Sequence, residues 1–244
     1  MIDRLIPIKE AAKRLGVTMT TLRRWDAEEK LKSVRAGEKG HRYYRKKDLD
    51  LFIQDLPTIA WEWAIDEATQ EPDSHYYCPD SSIFQSRLEK LRTDLMTIDD
   101  KNVELINSLI VLVAGEIGNN SFDHNLGNWP DVRGLFFGYD FKRRSIVLAD
   151  RGIGILASLK RVRPLLITHK EALKVAFTER ISGRAPESRG NGLKLVRKVV
   201  HENPSLTLDF RTGDARLILK EGDYDVNVET SDQFFRGCFA SITF

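Results

Sequence analysis

The chain has 244 residues, of which 41% are hydrophobic and 30% charged, and its formal net charge is +2. These values are typical of a globular protein and exclude a fibrous or largely disordered chain. The longest apolar run, residues 109–115, is far shorter than the roughly 18 residues of a membrane span, and the N-terminus lacks a signal-peptide pattern. We therefore expect a cytoplasmic protein without membrane contact.

The two cysteines, Cys78 and Cys238, are too few for a disulfide framework, and neither has a metal-type neighbour in the sequence. We expect reduced thiols and no structural zinc. Charge is distributed unevenly, because residues 1–56 carry 14 Lys and Arg against 9 Asp and Glu, whereas the remainder carries 24 against 27. A basic N-terminal segment suggests a polyanionic partner, although a solvated basic surface has the same composition.

A helix-turn-helix is predicted near the N-terminus. Apolar residues from Ile8 to Leu15 recur at helical spacing, Gly16 breaks the pattern, and Thr18 is a predicted N-cap of the next helix. That second helix carries groups suited to phosphates and base edges near its start: Thr20, Thr21, Arg23 and Arg24.

A short hairpin and a further helix are predicted next. Gly37 and Gly40 can form the turn, and Asp48 is a predicted helix cap. The far side of the hairpin carries mainly basic and aromatic residues: His41, Arg42, Tyr43, Tyr44 and Arg45.

The motifs "IKEAAKRLGVT", "TLRRWD", "EEKL" and "GHRYYRKKDL" together resemble the winged helix-turn-helix of the MerR and excisionase-like families, over about residues 5–55. The resemblance implies binding to double-stranded DNA as a homodimer and a role in transcription regulation. It implies DNA contacts by Thr20, Thr21, Arg23, Arg24, His41, Arg42, Tyr44 and Arg45. The alternative is a small helical domain that docks onto a protein.

We divide the chain into a DNA-binding domain (1–56), a linker (57–83) and a second domain (84–244). The linker pattern predicts a short helix and an extended connector. The second domain begins with apolar residues at helical spacing: Phe84, Leu88, Leu91 and Leu95. This helix either mediates dimerisation or is the first core helix of the domain, and the second interpretation is favoured.

A polar helix face follows the apolar run 109–115. Glu116, Asn120, Asp123 and His124 share one face of the predicted helix, which is costly to bury unless it binds something polar. Further on, "SIVLADRGIGILASL" predicts a strand that ends at Asp150, and "RGNGL" predicts a helix that begins after Gly190 and Gly192. The free amides of a helix N-terminus form a ready phosphate site.

The motifs "EIGNNSFDH", "DRGIG" and "RGNGL" resemble those of the GHKL superfamily of ATP-binding domains, over about residues 84–244. The resemblance implies an α+β chain in which a Bergerat-fold α/β sandwich, a mixed and mostly antiparallel sheet covered by helices, follows the small winged helix-turn-helix. Alternating patterns in "SLTLDF", "ARLILKEG" and "CFASITF" also predict antiparallel strands.

The same resemblance implies ATP and Mg²⁺ as ligands. Glu116 would be the general base, Asn120 would hold Mg²⁺, and Asp123 would lie just behind it. Asp150 would accept a hydrogen bond from the adenine amino group. Backbone or phosphate contacts are implied for Gly152, Gly154, Gly190, Gly192 and Leu193, charge clamps for Arg184 and Arg189, and a mobile lid for residues 156–188. Cys238 replaces the threonine that the family commonly has beside adenine, and a thiol is a weaker hydrogen-bond partner.

The segment "GIGILA" also fits the dinucleotide-binding motif of a Rossmann fold, but that interpretation leaves the motifs "EIGNNSFDH" and "RGNGL" unexplained. A P-loop motif does not occur in the sequence. The favoured hypothesis is a DNA-binding regulator in which Mg·ATP, bound in a GHKL pocket and hydrolysed slowly, controls the domain arrangement or the dimerisation of the MerR-like head. One alternative is a serine protein kinase that resembles the anti-sigma kinases and acts on a protein substrate. Another is a nucleotide-binding module without turnover.

Overall fold

Two units follow one another along the chain, residues 1–59 and residues 60–244. The structure is a computed structural model, and it describes residues 4–15, 17–27, 29, 31–35, 40–53, 56–66, 70–180 and 191–244. The predicted fold class is confirmed, because the chain is α+β with two antiparallel sheets. No helix in the described ranges is long and apolar enough to cross a membrane.

The first unit, which we call the head, contains the predicted helix-turn-helix. Helix α1 spans Ile8–Arg14 and helix α2 spans Met19–Ala27. Thr18 is the N-cap of α2, as predicted, since its hydroxyl oxygen accepts a hydrogen bond from the Thr21 amide at 3.1 Å. Ala11 and Leu22 are fully buried between these helices and their neighbours, so the apolar spacing predicted the core of the head correctly.

A three-stranded sheet completes the head. Strands β1 (Leu5–Pro7), β2 (Val34–Arg35) and β3 (Arg42–Arg45) pair in the order β1-β3-β2, and helix α3 (Lys46–Ile53) follows β3 directly. The prediction that Asp48 caps α3 is wrong: the helix begins at Lys46, whose amide donates to the Arg4 carbonyl, and Asp48 therefore lies in the first turn. Gly16 and Gly37 lie outside the described residues.

The second unit is built on a five-stranded antiparallel sheet of order β4-β5-β6-β8-β7. Its strands are β4 (Tyr77–Cys78), β5 (Leu135–Asp140), β6 (Ser145–Asp150), β7 (Thr207–Leu219) and β8 (Val228–Thr243). Its helices are α5 (Ser81–Leu95), α6 (Lys101–Asn125), α7 (Gly154–Lys160), α8 (His169–Thr178) and α9 (Gly192–Glu202). Helix α4 (Leu56–Ile65) runs across the boundary between the two units in the sequence.

The two faces of this sheet pack against different partners. Leu135 and Phe137 of β5 belong to the main apolar core, together with residues of α5, α6 and α9. Phe136 points the opposite way, as strand alternation requires, and its ring stacks on Tyr76 at 4.9 Å and on Trp63 at 6.3 Å. The aromatic residues of the predicted linker therefore form part of the second unit.

Helix α5 is a core helix, as favoured from the sequence. Phe84, Leu88, Leu91 and Leu95 are all buried in the main core. The helix lies very close to α6, because a Cβ added at Gly118 would meet the Phe84 ring at 2.1 Å and one at Gly115 would meet Leu88 at 3.1 Å. Glycine at these two positions lets the helices approach.

The segments "SLTLDF" and "ARLILKEG", which were predicted as separate strands, belong to the single strand β7. Gly213 adopts φ +59° between them, and the register with β8 shifts on both sides of it. This glycine therefore produces a bulge, where the sequence suggested a break between strands. A Cβ at Gly213 would also meet the His169 ring at 2.3 Å.

The first part of the predicted lid is helical. Residues of α7, of α8 and of the turn that joins them share a small apolar cluster: Leu156, Leu159, Leu166, Ala172 and Val175. Residues 181–188, which complete the predicted lid, lie outside the described part of the chain.

Gly118→Ala should destabilise the protein. The added methyl group overlaps the fully buried Phe84 ring, and overpacking of this kind costs about 1–3 kcal/mol in free energy of unfolding. Urea unfolding monitored by circular dichroism measures the change. Ser108→Ala, on an exposed position of the same helix, is the matched control and should unfold at the wild-type midpoint. Equal stability of the two variants would contradict the close α5–α6 packing.

Candidate functional site

The second unit contains a cavity of about 480 Å³ at which the three predicted motifs meet. Its wall is formed by the C-terminal half of α6, the turn after β6, helices α7 and α8, the start of α9, and strands β7 and β8. The sequence-predicted residues that line it are Glu116, Asn120, Asp123, Asp150, Gly154, Gly192, Leu193 and Cys238. Residues far apart in the sequence thus share one concave site of the size that small-molecule ligands occupy.

Asp150 is the buried acid of this cavity, with 1% of its surface exposed. The Ser121 hydroxyl donates to one carboxylate oxygen at 2.7 Å, and the Gly152 amide donates to the other at 2.8 Å. Burial raises the pKa of this carboxyl, although the hydrogen bonds from Ser121 and Gly152 oppose the shift. The side chain is therefore a fixed acceptor in a wall that excludes water.

The turn that carries Gly152 and Gly154 is held by Asn125, at the C-terminal end of α6. The Asn125 side chain accepts from the Ile153 amide at 2.9 Å and donates to the Ser121 carbonyl at 2.8 Å. A Cβ at Gly152 would lie 2.1 Å from the Asn125 side chain, and Gly154 has φ +73°. Both glycines are therefore required by the path of the turn itself.

Strand β8 passes Asp150 with very little clearance. Gly237 has φ +82°, and a Cβ there would lie 2.2 Å from the Asp150 carbonyl oxygen. The next residue, Cys238, lines the cavity, and burial together with the Asp150 charge raises the pKa of its thiol. The thiol is therefore protonated at neutral pH and is a poor nucleophile.

A hydroxyl group does lie beside Cys238, but it belongs to Thr212 of β7. The Thr212 hydroxyl donates to the Gly237 carbonyl at 2.8 Å and accepts from the Ile155 amide at 3.3 Å. Its oxygen is 3.9 Å from the Cys238 sulfur. Thr212 therefore joins β7, β8 and the start of α7. Its hydroxyl hydrogen is already bonded to the Gly237 carbonyl oxygen.

The opposite end of the cavity joins α6 to the N-terminus of α9. A Cβ at Gly192 would lie 2.5 Å from a carboxylate oxygen of Glu116 and 3.5 Å from the amide nitrogen of Asn120. The first amides of α9 therefore open beside these two side chains. A helix N-terminus combined with such close backbone approach suits a phosphate group. Arg184, Arg189 and Gly190, predicted for the same end, lie outside the described residues.

The lining is rich in negative charge. It includes the acids Glu116, Asp123 and Asp150, and none of the lining residues in the described ranges is Lys or Arg. His124 lies in the same wall, with its Nδ1 2.9 Å from the Ser158 hydroxyl oxygen. Within the described ranges, no group of three or more His, Cys, Asp or Glu side chains is arranged to hold a metal ion.

Arg151, between Asp150 and Gly152, is a fully buried cation in the wall behind the cavity. It donates to Asp131 at 2.7 Å and to the Trp63 carbonyl of α4 at 3.0 Å, and Arg236 of β8 also pairs with Asp131. Burial alone would raise the pKa of Asp131, but hydrogen bonds from the two arginines and from a backbone amide hold it below its usual range. The turn of the cavity is thus bonded directly to α4.

Sequence reasoning did not identify Ser121, Asn125, Arg151 or Thr212 as parts of this site. Ser121 lies inside the motif "EIGNNSFDH" and Asn125 follows it one helical turn later, and this spacing could have identified both residues. Arg151 lies inside the motif "DRGIG", but its bonds to Asp131 and Trp63 depend on tertiary packing. Strand pairing brings Thr212 to the site, and local sequence does not show this pairing.

The head presents a basic surface on α2 and β3. Thr20, Arg23 and Arg24 are exposed on α2, as are His41 and Arg45 on or beside β3. Thr21 is half-buried and its hydroxyl pairs with that of Thr18 at 2.9 Å. These positions leave the predicted basic side chains of α2 accessible from solvent.

Two of the predicted DNA contacts have structural roles in the head. Tyr44 is fully buried, and its hydroxyl donates to the Leu22 carbonyl at 3.1 Å, so we correct its assignment to a core residue that supports α2. Arg42 is half-buried and donates to Asp26, at the end of α2, at 2.8 Å.

Asp26 links α2 to strands β2 and β3. Besides Arg42, it accepts hydrogen bonds from the Ser33 amide at 2.8 Å and from Arg35 at 3.1 Å. Burial alone would raise the pKa of Asp26, but these hydrogen bonds outweigh it and hold the pKa well below its usual range. Because the folded-state pKa is depressed, the network stabilises the head at neutral pH and loses this contribution only in strong acid.

Residues 7–44 match the family described as MerR family regulatory protein. Over these residues the head is therefore a MerR-like DNA-binding regulatory domain. The match ends at Tyr44 and does not extend into the second unit. A comparison with curated proteins finds none that matches the chain.

Thr212→Val should destabilise the second unit by about 1–3 kcal/mol, because it leaves the buried Gly237 carbonyl and Ile155 amide without their partner. Valine keeps the shape of threonine, so loss of packing contributes little. Urea unfolding of the purified chain measures the effect, and Thr230→Val, at an exposed position of β8, is the control. A variant as stable as the control would show that Thr212 does not pin this wall.

Proposed function

We propose that the chain is a DNA-binding regulator in which the cavity of the second unit binds Mg·ATP and thereby controls DNA binding by the MerR-like head. The observation that carries this proposal is the convergence of the acidic helix face, the Asp150 turn and the α9 N-terminus on one cavity. The antiparallel sheet with helices on its main core face is also what the GHKL resemblance implies for an ATP-binding domain.

Asp150 is assigned to the nucleobase. Its carboxylate is buried, and the hydrogen bonds from Ser121 and Gly152 fix its orientation. An acceptor of this kind recognises an exocyclic amino group, and a base that lacks the amino hydrogen leaves a buried carboxylate without its partner. The neighbouring Cys238 thiol offers a weak hydrogen bond and an apolar contact. Adenine recognition therefore depends mainly on Asp150.

The α9 end is assigned to the phosphates. The first amides of α9 and the close approach at Gly192 suit phosphate oxygens, and Asn120 lies beside them. When bound, Mg·ATP would supply the transferable phosphoryl group, and its Mg²⁺ would reduce the repulsion between the triphosphate and the acidic lining. Magnesium commonly takes only one or two protein ligands and completes its shell with phosphates and water. The absence of a preformed metal cluster in the described residues is compatible with this arrangement.

Glu116 is assigned the role of general base. Its carboxylate lies beside Gly192, at the phosphate end, and can accept the proton of the attacking nucleophile. With water as nucleophile the products are ADP and phosphate, and the release of both returns the regulator to its nucleotide-free state. With a serine hydroxyl of a partner protein, the same carboxylate would serve a protein kinase.

Isothermal titration calorimetry with ATP and Mg²⁺ tests the proposal. The wild type should bind, and Asp150→Asn should weaken binding at least about tenfold, because the amide presents a donor where the base requires an acceptor. Removal of Mg²⁺ with EDTA should also weaken binding, since the acidic lining then repels the free triphosphate. Asp225→Asn, an exposed acid outside the cavity, is the matched control.

Glu116→Gln should retain ATP binding and lose about 10²-fold or more of any turnover, measured as phosphate release. Binding without phosphate release in the wild type would favour the protein kinase or the non-hydrolysing module. If the wild type does not bind ATP, or if Asp150→Asn binds as the wild type does, the assignment of the cavity is wrong.

A further inference from the structure

Ser158 of α7 is a buried polar residue of the cavity wall. Only 5% of its surface is exposed, and its hydroxyl oxygen lies 2.9 Å from Nδ1 of His124 on α6. Both side chains line the cavity. The other buried residues of α7 are two leucines, which pack in the apolar cluster shared with α8. Ser158 is therefore the polar position among the buried residues of α7, and it borders the cavity.

On α7, Ser158 lies near the end of the cavity that is assigned to the nucleobase. The helix begins at Gly154, and Ser158 follows one helical turn later, a rise of about 6 Å. Gly154 belongs to the turn after Asp150, and a Cβ on it would lie 3.0 Å from the Thr212 hydroxyl oxygen. The Ser158 position is therefore about one turn of helix beyond the nucleobase end.

On α6, the hydrogen-bond partner of Ser158 lies near the phosphate end. His124 follows Asn120 by one helical turn, and both side chains line the cavity. Asn120 lies beside Gly192 at the start of α9. The hydrogen bond between Ser158 and His124 therefore joins a position near the nucleobase end to a position near the phosphate end. In a nucleotide the sugar connects the base to the phosphates, so this hydrogen-bonded pair lies where the sugar is expected.

The chemistry of the Ser158 hydroxyl suits a hydroxyl group of the ligand. Within the described ranges it makes one hydrogen bond, to His124. If Ser158 donates to Nδ1, its oxygen can still accept a hydrogen bond, and if Nδ1–H donates to Ser158, the serine hydrogen can still be donated. A sugar hydroxyl both donates and accepts, so it complements either arrangement. A phosphate oxygen accepts only, so it complements just one of them.

We propose that the Ser158 hydroxyl binds a hydroxyl group of the nucleotide's ribose and makes the cavity selective for nucleotides that carry this group. The inference rests on the proposed nucleotide site and adds the sugar to the groups that the site recognises. The hydrogen bond with His124 holds the Ser158 side chain in place. Because Ser158 is almost completely buried, a ligand without the sugar hydroxyl would leave its remaining hydrogen-bonding capacity unused and shielded from water.

Isothermal titration calorimetry of the full chain compares ATP with 2′-deoxy-ATP and 3′-deoxy-ATP, each with Mg²⁺. The wild type should bind at least one deoxy analogue about fivefold or more weakly than ATP, because a hydrogen bond at a buried position is lost. Ser158→Ala should weaken ATP binding about fivefold and leave the affinity for that analogue unchanged, so that ATP loses its advantage. Ser108→Ala, on an exposed position of α6 outside the cavity, is the matched control and should keep the wild-type ratio.

A purely structural role for Ser158, as a tether between α7 and α6, predicts a different result. Ser158→Ala would then weaken the binding of all three nucleotides equally, and this outcome would overturn the inference. Equal affinity of the wild type for ATP and both deoxy analogues would also overturn it, whatever the stability of the variant. In both cases nucleotide binding in the cavity would stand. If the wild type binds none of the three nucleotides, the proposed function fails and the inference fails with it.

Discussion

The burial of the Asp150 carboxylate is the constraint that the surrounding elements of the second unit satisfy. A buried acid needs hydrogen-bond donors on several sides, and here they come from different elements: Ser121 of α6 and the Gly152 amide of the turn. Meeting this need brings the polar end of α6 against the end of β6. Strand β8 must then pass so close that only glycine fits at position 237. The cavity follows from this arrangement, and it opens between the same elements.

The turn that follows Asp150 also makes contacts outside the cavity, and Arg151 makes them. The buried guanidinium bonds to Asp131 and to the Trp63 carbonyl, near the C-terminal end of α4. Helix α4 begins at Leu56, shortly after the last helix of the head in the sequence. One side of the turn therefore belongs to the proposed nucleotide site, and the other is bonded to the helix that leads from the head. Within the second unit, the turn of the proposed nucleotide site is therefore hydrogen-bonded to the helix that follows the head in the sequence.

The sequence predicted those parts of the structure that depend on local pattern. Helical spacing predicted α1, α2, α5 and α6. The polar face of α6 predicted a binding site, and this face lines the cavity. Features that depend on tertiary contacts were missed. Tyr44 resembles an exposed DNA contact in sequence, but an aromatic ring on β3 packs beneath α2 and its hydroxyl reaches Leu22. Thr212 reaches the site through strand pairing, and the partners of Arg151 come from distant parts of the chain. Gly213 interrupts the register of a strand that the sequence pattern alone divides in two.

The central claim is that nucleotide in the cavity changes DNA binding by the head. The most direct measurement is the affinity of the full chain for a DNA site selected from a random library, at fixed salt, with and without Mg·ATP. We predict a change of at least about fivefold for the wild type, the lower range of allosteric coupling, and no change for Asp150→Asn. Equal DNA affinity of the wild type in the two conditions, at ATP concentrations that saturate the cavity, would contradict the account.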